Sequence, residues 1–304
     1  MIKRTLYFGT PAYLSLKLDQ LVFTPAGKDA DAISKEDIRT VPVEDIGFVV
    51  LDNRQITVTQ GLLERLLDNN CALVTCDAKH LPVGLMLPLA GNTIQNERFR
   101  SQLDASLPLK KQLWQQTIQA KIRNQAAALY GFTGVVHNNM LVWADAVRSG
   151  DADNMEARAA VYYWKTAFPE CPDFTRDQDG EDANVLLNYG YAILRAIVAR
   201  ALVCSGLLPT LGIHHHNRYN AYCLADDIME PYRPYVDKVV KEKCLAKGEI
   251  RLTREVKAAL LNIAVEEVVI DGKRSPLMNA VSSTTASVAK CFSGECKKIL
   301  YPVM

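Results

Sequence analysis

Between Gly206 and Pro234 the chain gathers residues able to hold a cation. Three successive histidines, His214, His215 and His216, precede Asp226, Asp227 and Glu230. On a helix starting near Asn220, Asp227 and Glu230 stand three apart and Asp226 and Glu230 four apart, on one face amid Leu224, Ile228 and Met229. Carboxylates gathered on an apolar face repel unless a cation lies between them, and the histidine loop offers imidazole nitrogen to the same ion. Mixed nitrogen and oxygen donors with open positions suit Mn²⁺ or Mg²⁺ better than a closed structural zinc. The same residues also allow a structural reading, with the histidines as loop residues and the acids paired to Arg218 and Arg233. Spacing does not choose among His214, His215 and His216.

A second acid opens a helical stretch. Asp153 or Asn154 can cap a helix whose first turn carries Glu156, where the helix dipole favours an acid. Past Glu230 lies a basic segment in which Lys238, Lys241 and Arg251 are candidate contacts for a polyanion. Asp237, Glu242, Glu249 and Glu255 are interleaved with it, as on an ordinary solvated face. Lys110, Lys111, Lys121 and Arg123 mark an alternative path.

Other chemically capable residues read as packing. Trp114, Trp143 and Trp164 lie in apolar stripes, while His80 and His137 read as surface or hydrogen-bonded histidines. The 8 cysteines form no C-x-x-C pair, which argues against a zinc ribbon or redox dithiol.

These side chains must be positioned by a chain of 304 residues, about two domains' length. With 49% hydrophobic and 23% charged residues it is a globular mixture, and a net charge of +1 gives no overall pull on polyanions, so any polyanion site must be local. To about residue 90 the pattern is short period-2 or apolar runs, such as Thr5 to Phe8, Gly47 to Leu51 and Cys71 to Cys76, with one helix over Thr59 to Asp68. Beyond Gly91 it turns helical: Leu109 to Leu129, Met155 to Phe168, Ala183 to Cys204, Asn220 to Ala246, Thr253 to Ala264 and Leu277 to Phe292. The fold class expected is α+β, a mostly antiparallel β-domain over 1–90 followed by a larger all-α catalytic domain over 91–304, hinged at Pro88 to Gly91. The opening residues, with Lys3 and Arg4, hold no apolar signal core, and no uninterrupted apolar run approaches the ~18 residues of a membrane helix. A cytoplasmic protein with reduced thiols, not bound to membrane, is expected.

Three motifs together, Asn-x-Glu-x-x-Ala-Ala-x-x-Tyr at 154–163, Pro-x-x-Gly-x-x-His at 209–215 and Asp-x-x-Glu-Pro-x-Arg-Pro at 227–234, resemble the CRISPR-associated spacer-integrase endonucleases. The tract Lys121-Ile122-Arg123-Asn124-Gln125 fits as well, and Gly212-Ile213-His214-His215 is similar to the form that accompanies type II systems. The resemblance spans nearly the whole chain. It implies that Glu156, His215 and Glu230 are the catalytic metal ligands, with Asp227 at a further acidic position and Mg²⁺ or Mn²⁺ as cofactor. It implies spacer insertion into a CRISPR array by attack of a DNA 3′-hydroxyl on a phosphodiester. The 1–90 domain would serve dimerisation and partner contacts, in a homodimer bridged by a small ferredoxin-like subunit on double-stranded prespacer and array DNA. Two other readings stay open: a metal-dependent nuclease of DNA repair, and a non-catalytic DNA-binding scaffold.

Overall fold

The computed structural model describes residues 3–26, 37–171, 174–177 and 180–304. The chain divides into two compact units, Met1–Gly91 and Asn92–Met304.

The first unit holds β1 (Arg4–Phe8), β2 (Ala12–Lys17), β3 (Gln20–Pro25), β4 (Arg39–Pro42), β5 (Ile46–Leu51), β6 (Ile56–Val58), α1 (Gln60–Asp68), β7 (Ala72–Cys76) and β8 (Pro82–Met86). They form two four-stranded sheets, ordered β1-β5-β7-β8 and β4-β3-β2-β6. Leu14, Leu21, Ile46, Val49, Leu62 and Leu66 are buried together in one core. The expectation of mostly antiparallel pairing is corrected here. β5 runs parallel to both β1 and β7, and β2 parallel to β6, against antiparallel β2–β3, β3–β4 and β7–β8. The physical reason lies in β5, whose residues Ile46 to Val50 are all buried. A strand covered on both faces reads as a continuous apolar run, and its parallel partner β7 is reached by a crossover through α1.

The second unit is built on helices: α2 (Gln95–Leu103), α3 (Leu107–Thr133), α4 (Asn138–Ala146), α5 (Met155–Ala167), α6 (Ala183–Cys204), α7 (Cys223–Met229), α8 (Arg233–Val239), α9 (Arg254–Leu261) and α10 (Leu277–Phe292). α3 begins on Ser106, whose hydroxyl accepts from the Leu109 amide, and ends at left-handed Gly134 (φ 70°). α6 is long and apolar enough to cross a membrane but is mostly buried as the core helix of this unit.

Two departures from the sequence expectation matter. The unit is not all-α, because β9 (Glu267–Ile270) and β10 (Lys273–Pro276) form an antiparallel hairpin. Its turn is Asp271-Gly272 with φ 50° and 71°, a sequence pair suited to a two-residue turn. Nor is 220–246 one helix. It breaks into α7, a 3₁₀ turn at Glu230–Tyr232, α8 and a π turn at Val240–Cys244. Pro231 and Pro234 lack the amide a continuous helix needs and crowd the preceding turn.

Candidate active site

Glu156 stands in the first turn of α5, and Asp151 places it. The Asp151 carboxylate accepts from the amides of Met155 (2.9 Å) and Glu156 (3.0 Å). The expected caps do otherwise: Asn154 is left-handed (φ 53°) with no capping bond, and Asp153 is paired to Arg148. A tight loop preceding the helix therefore needs an acid at 151 and a residue tolerant of positive φ at 154.

Glu230 lies in the 3₁₀ turn after α7. Across the turn, Asn124 of α3 donates to the Pro231 carbonyl (2.8 Å). One turn of α3 earlier stands Lys121, whose Nζ reaches Glu156 Oε1 at 2.6 Å and Glu230 Oε2 at 2.5 Å. That Glu230 oxygen is buried and has no hydrogen-bond partner besides this ion pair. The other Glu230 oxygen accepts from Arg233 Nε at 2.8 Å. Two acids 74 positions apart in sequence thus converge on one cationic nitrogen.

The third element is the loop before α7, wrapped around Asp227. Asp227 Oδ2 accepts from the amides of Ile213 (2.7 Å) and His214 (2.9 Å), and Oδ1 from the His215 amide (3.3 Å) and His215 Nδ1 (2.5 Å). Asp227 is fully buried, so its place is behind His215 rather than on an open side of the site. A Cβ on Gly212 would lie 2.4 Å from the His215 carbonyl oxygen and 2.8 Å from Asp227 Oδ2, so only glycine lets the loop close this tightly. His214 stacks flat on the buried Trp114 ring (4.1 Å, 1°), while His215 meets that ring edge-on (5.6 Å). The buried tryptophan therefore serves as the platform of the histidine loop. Tertiary packing separates the three histidines: 214 is stacked, 215 is anchored by Asp227, and 216 is exposed.

Electrostatics follow from this geometry. Burial alone would raise the Glu230 carboxyl, but Arg233 and Lys121 hold it down at about 2. Burial opposes the charge on Lys121, yet Glu230 and Glu156 outweigh it and keep the ammonium's pKa above its usual value. The hydrogen bond to Asp227 raises His215, whereas desolvation lowers His214.

Among the described residues no three His, Cys, Asp or Glu side chains stand close enough to hold an ion as they are, and the Lys121 ammonium fills the place between Glu156 and Glu230. The donors nevertheless fit a divalent ion. Two carboxylates already converge on a positive charge, one buried carboxylate oxygen lacks a hydrogen-bond donor, and His215 Nδ1 is committed to Asp227, leaving Nε2 for a ligand.

Other expected residues fall elsewhere. Asp226 pairs with Arg195 (2.6 Å) and Asn220 (2.7 Å), not with Glu230. Lys241 has partners within the fold: its ammonium bonds the Ala167 carbonyl (2.7 Å) and Glu170 (2.9 Å) and lies over the Phe132 ring. Lys238 is half-buried and Arg251 exposed. His137 is buried between Tyr162 (2.9 Å) and Thr133 (3.2 Å), and His80 bonds Asp52 (2.8 Å). Cys71, Cys223, Cys244 and Cys291 are buried, and the sulfurs of Cys291 and Cys296 stand 3.3 Å apart. A cleft of about 340 Å³ opens on His215 and is flanked by Lys110 and Arg218, while a larger one of about 630 Å³ around Asp52 and His80 contains none of the four acidic and histidine site residues. Lys121 as the bridge between the acids was not expected from the pattern. Lys121 stood in the tract that fits the resemblance and among the cations of the alternative path, but nothing in the pattern joined it to the two acids.

Residues 6–271 match the family described as CRISPR associated protein Cas1. Over 291 residues, 94% of this chain and 91% of the relative, the sequence is 37% identical to the CRISPR-associated endonuclease Cas1 of Neisseria meningitidis serogroup C (strain 8013). The fold is similar to a casposase bound to integration product (TM-score 0.77, 18% identity, 98% of this chain and 92% of that one). It is also similar to a chain of a Cas6-RT-Cas1–Cas2 complex (TM-score 0.70, 19% identity, 97% of this chain and 35% of that one). At these identities the two structures speak to the fold.

Proposed function

The chain belongs to the Cas1 family of CRISPR-associated proteins, and from that premise we propose that it is a metal-dependent DNA endonuclease and integrase that inserts new spacers into a CRISPR array. The observation that carries this reading is the convergence of Glu156 and Glu230 on one cationic position, with both charges acting on the His215 imidazole that Asp227 holds. Glu156, Glu230 and His215 Nε2 would hold Mg²⁺ or Mn²⁺. When bound, such an ion supplies Lewis-acid stabilisation of a phosphodiester oxygen and a template for in-line attack.

The remaining work falls to the chain's own groups. Asp227 orients the His215 ring and sets which nitrogen is free. Arg233 occupies one Glu230 oxygen and so points the other toward Glu156. Asn124 fixes the turn that carries Glu230. Lys110 and Arg218, beside the cleft at His215, offer positive charge to a phosphate backbone. Attack by a DNA 3′-hydroxyl gives strand transfer, and attack by water gives nicking.

The partners proposed are double-stranded prespacer and array DNA, a second copy of this chain, and a small ferredoxin-like subunit. The Cas1–Cas2 assembly among the similar structures supports the last. β8 supports the second: it is a sheet edge carrying exposed Val83 and Met86, a surface suited to pairing.

The test is transfer of a short duplex with free 3′-hydroxyl ends into supercoiled repeat-bearing DNA, with the small subunit and a divalent salt present. Transfer by the parent and none by Glu156→Ala, His215→Ala or Glu230→Ala is the expected result. Nicking without transfer would favour a repair nuclease, and folded Glu230→Ala protein with full activity would leave a DNA-binding scaffold. A monomer in sedimentation at micromolar concentration would remove the dimer.

A further inference from the structure

We propose that Lys121 is the resident counter-ion of the Glu156–Glu230 pair, holding the two carboxylates together without metal and setting how tightly a divalent ion is taken up by having to yield its place. This rests on the reading of these residues as metal ligands and adds to it a positioning residue that controls loading.

The geometry is specific. Lys121 lies in the middle of α3, is 8% exposed, and directs its ammonium between the two glutamates at 2.6 and 2.5 Å. A buried ammonium is costly unless acids compensate it. Here Glu156 and Glu230 contribute two negative charges, and Lys121 and Arg233 meet them with two positive ones. Each of the two carboxylates is thus faced by a cation without any metal ion, which is how they can share a poorly solvated site.

A divalent ion bound by both glutamates would meet the ammonium within a few Å, where like charges repel strongly in a partly buried setting. Lysine suits such a role because its charge rides on a flexible four-carbon stem, which can swing aside without moving α3. Arg233 cannot take its place. Its guanidinium is engaged by the other Glu230 oxygen and stacked over Tyr191 at 4.6 Å.

A purely structural lysine and a displaceable counter-ion predict opposite signs. If Lys121 only kept the acids in place, its loss would splay them and weaken metal binding. If it is a competing cation, its loss leaves a net negative pair and tightens binding.

The experiment titrates MnCl₂ into the full-length chain by calorimetry, comparing the parent with Lys121→Met, Lys121→Gln and Lys121→Arg, and melts each protein in EDTA. The expected result is a Kd for Mn²⁺ at least ~10-fold tighter in Lys121→Met and Lys121→Gln, and near the parent in Lys121→Arg, with a lower metal-free Tm in the two neutral variants. Should both neutral variants fail to fold, the ¹⁵Nζ signal of Lys121 in the parent gives the answer. It is expected to shift from a buried to a solvated ammonium as MgCl₂ saturates the site. Equal or weaker Mn²⁺ binding by the neutral variants, or an unmoved Lys121 signal at saturation, overturns the inference while leaving the metal site intact. Absence of any binding to the parent overturns the metal reading itself and this inference with it.

Discussion

Asp227 Oδ1 accepts the Nδ1 proton of His215 at 2.5 Å, while the same carboxylate gathers the amides of residues 213, 214 and 215. One buried acid therefore fixes both the ring and the backbone that carries it. Loop and imidazole are a single unit, anchored from within rather than from the solvent side.

Asp227→Asn keeps the shape but replaces two acceptor oxygens by one acceptor and one donor. An amide group facing several N–H donors is left mismatched. We expect a 10–100-fold loss of divalent-ion affinity, read by calorimetry, from loosening of a group behind the ligand rather than loss of a ligand.

Gly212→Ala places a methyl where the His215 carbonyl and the Asp227 carboxylate already lie. Neither neighbour is a flexible side-chain end free to move away. Activity should fall as far as in His215→Ala while α3 and α6 stay folded, which hydrogen exchange of their amides can check.

The two solitary histidines should behave differently from each other and from His215. His137 is buried with both ring nitrogens bonded, so His137→Ala should cost ~1–3 kcal/mol of stability in denaturant melts without altering strand transfer. His80→Ala should leave strand transfer unchanged. Loss of transfer by folded protein in either variant would mean the site extends beyond Glu156, His215 and Glu230.

The basic segment should divide in the same way. Lys241→Ala removes bonds to Ala167 and Glu170, so it should lower the Tm without changing the salt dependence of DNA affinity. Lys110 and Arg218 flank the cleft at His215, and replacing both by alanine should flatten the plot of log affinity against log salt by roughly one unit per lost contact. An unchanged slope in that pair together with a reduced slope in Lys238→Ala with Arg251→Ala would move the DNA path to the far side of α8.

Asp237 gives a pH dependence unrelated to catalysis. Burial pushes its carboxyl up to about 6 from 3.8, against hydrogen bonds from Tyr191 and Tyr163 and the charges of Arg233 and Arg176. Between these values the native state holds more protons than the unfolded chain, so this carboxyl's contribution to stability is lost as pH rises. The loss should total ~3 kcal/mol by pH 7. Denaturant melts from pH 4 to pH 7 should show most of that fall in the parent and not in Asp237→Asn.

How much could be read from residues alone differs from element to element. The bounds of α6 and α10 match their apolar spans, because a long helix buried along its length announces itself by period. The placement of Glu156 at a helix head was legible for the same reason. The hairpin of β9 and β10 was also written, in Asp271-Gly272 after the apolar run Val268-Val269-Ile270, but the polar Lys273-Arg274-Ser275 that follows and the strands' four-residue length make a weak local signal. Pairing sense was not legible: β5 is an apolar run, and whether its neighbours run with or against it depends on α1 folding back across the sheet.

For the site, the motifs named Glu156, His215, Asp227 and Glu230, but residue types cannot say which acid faces which cation. Asp226 and Asp227 are adjacent in sequence and point to Arg195 and to His215 respectively, because successive helical positions are turned about 100° apart. Lys121 and Glu230 are separated by more than a hundred residues, and only the packing of α3 against the broken turn at Pro231 brings them to 2.5 Å. Sequence thus determined the chemical inventory and the local elements that present it, since both are set by side-chain identity and short-range backbone preference. The tertiary structure decided the partnerships, because a buried charge is satisfied by whatever group the whole chain folds against it.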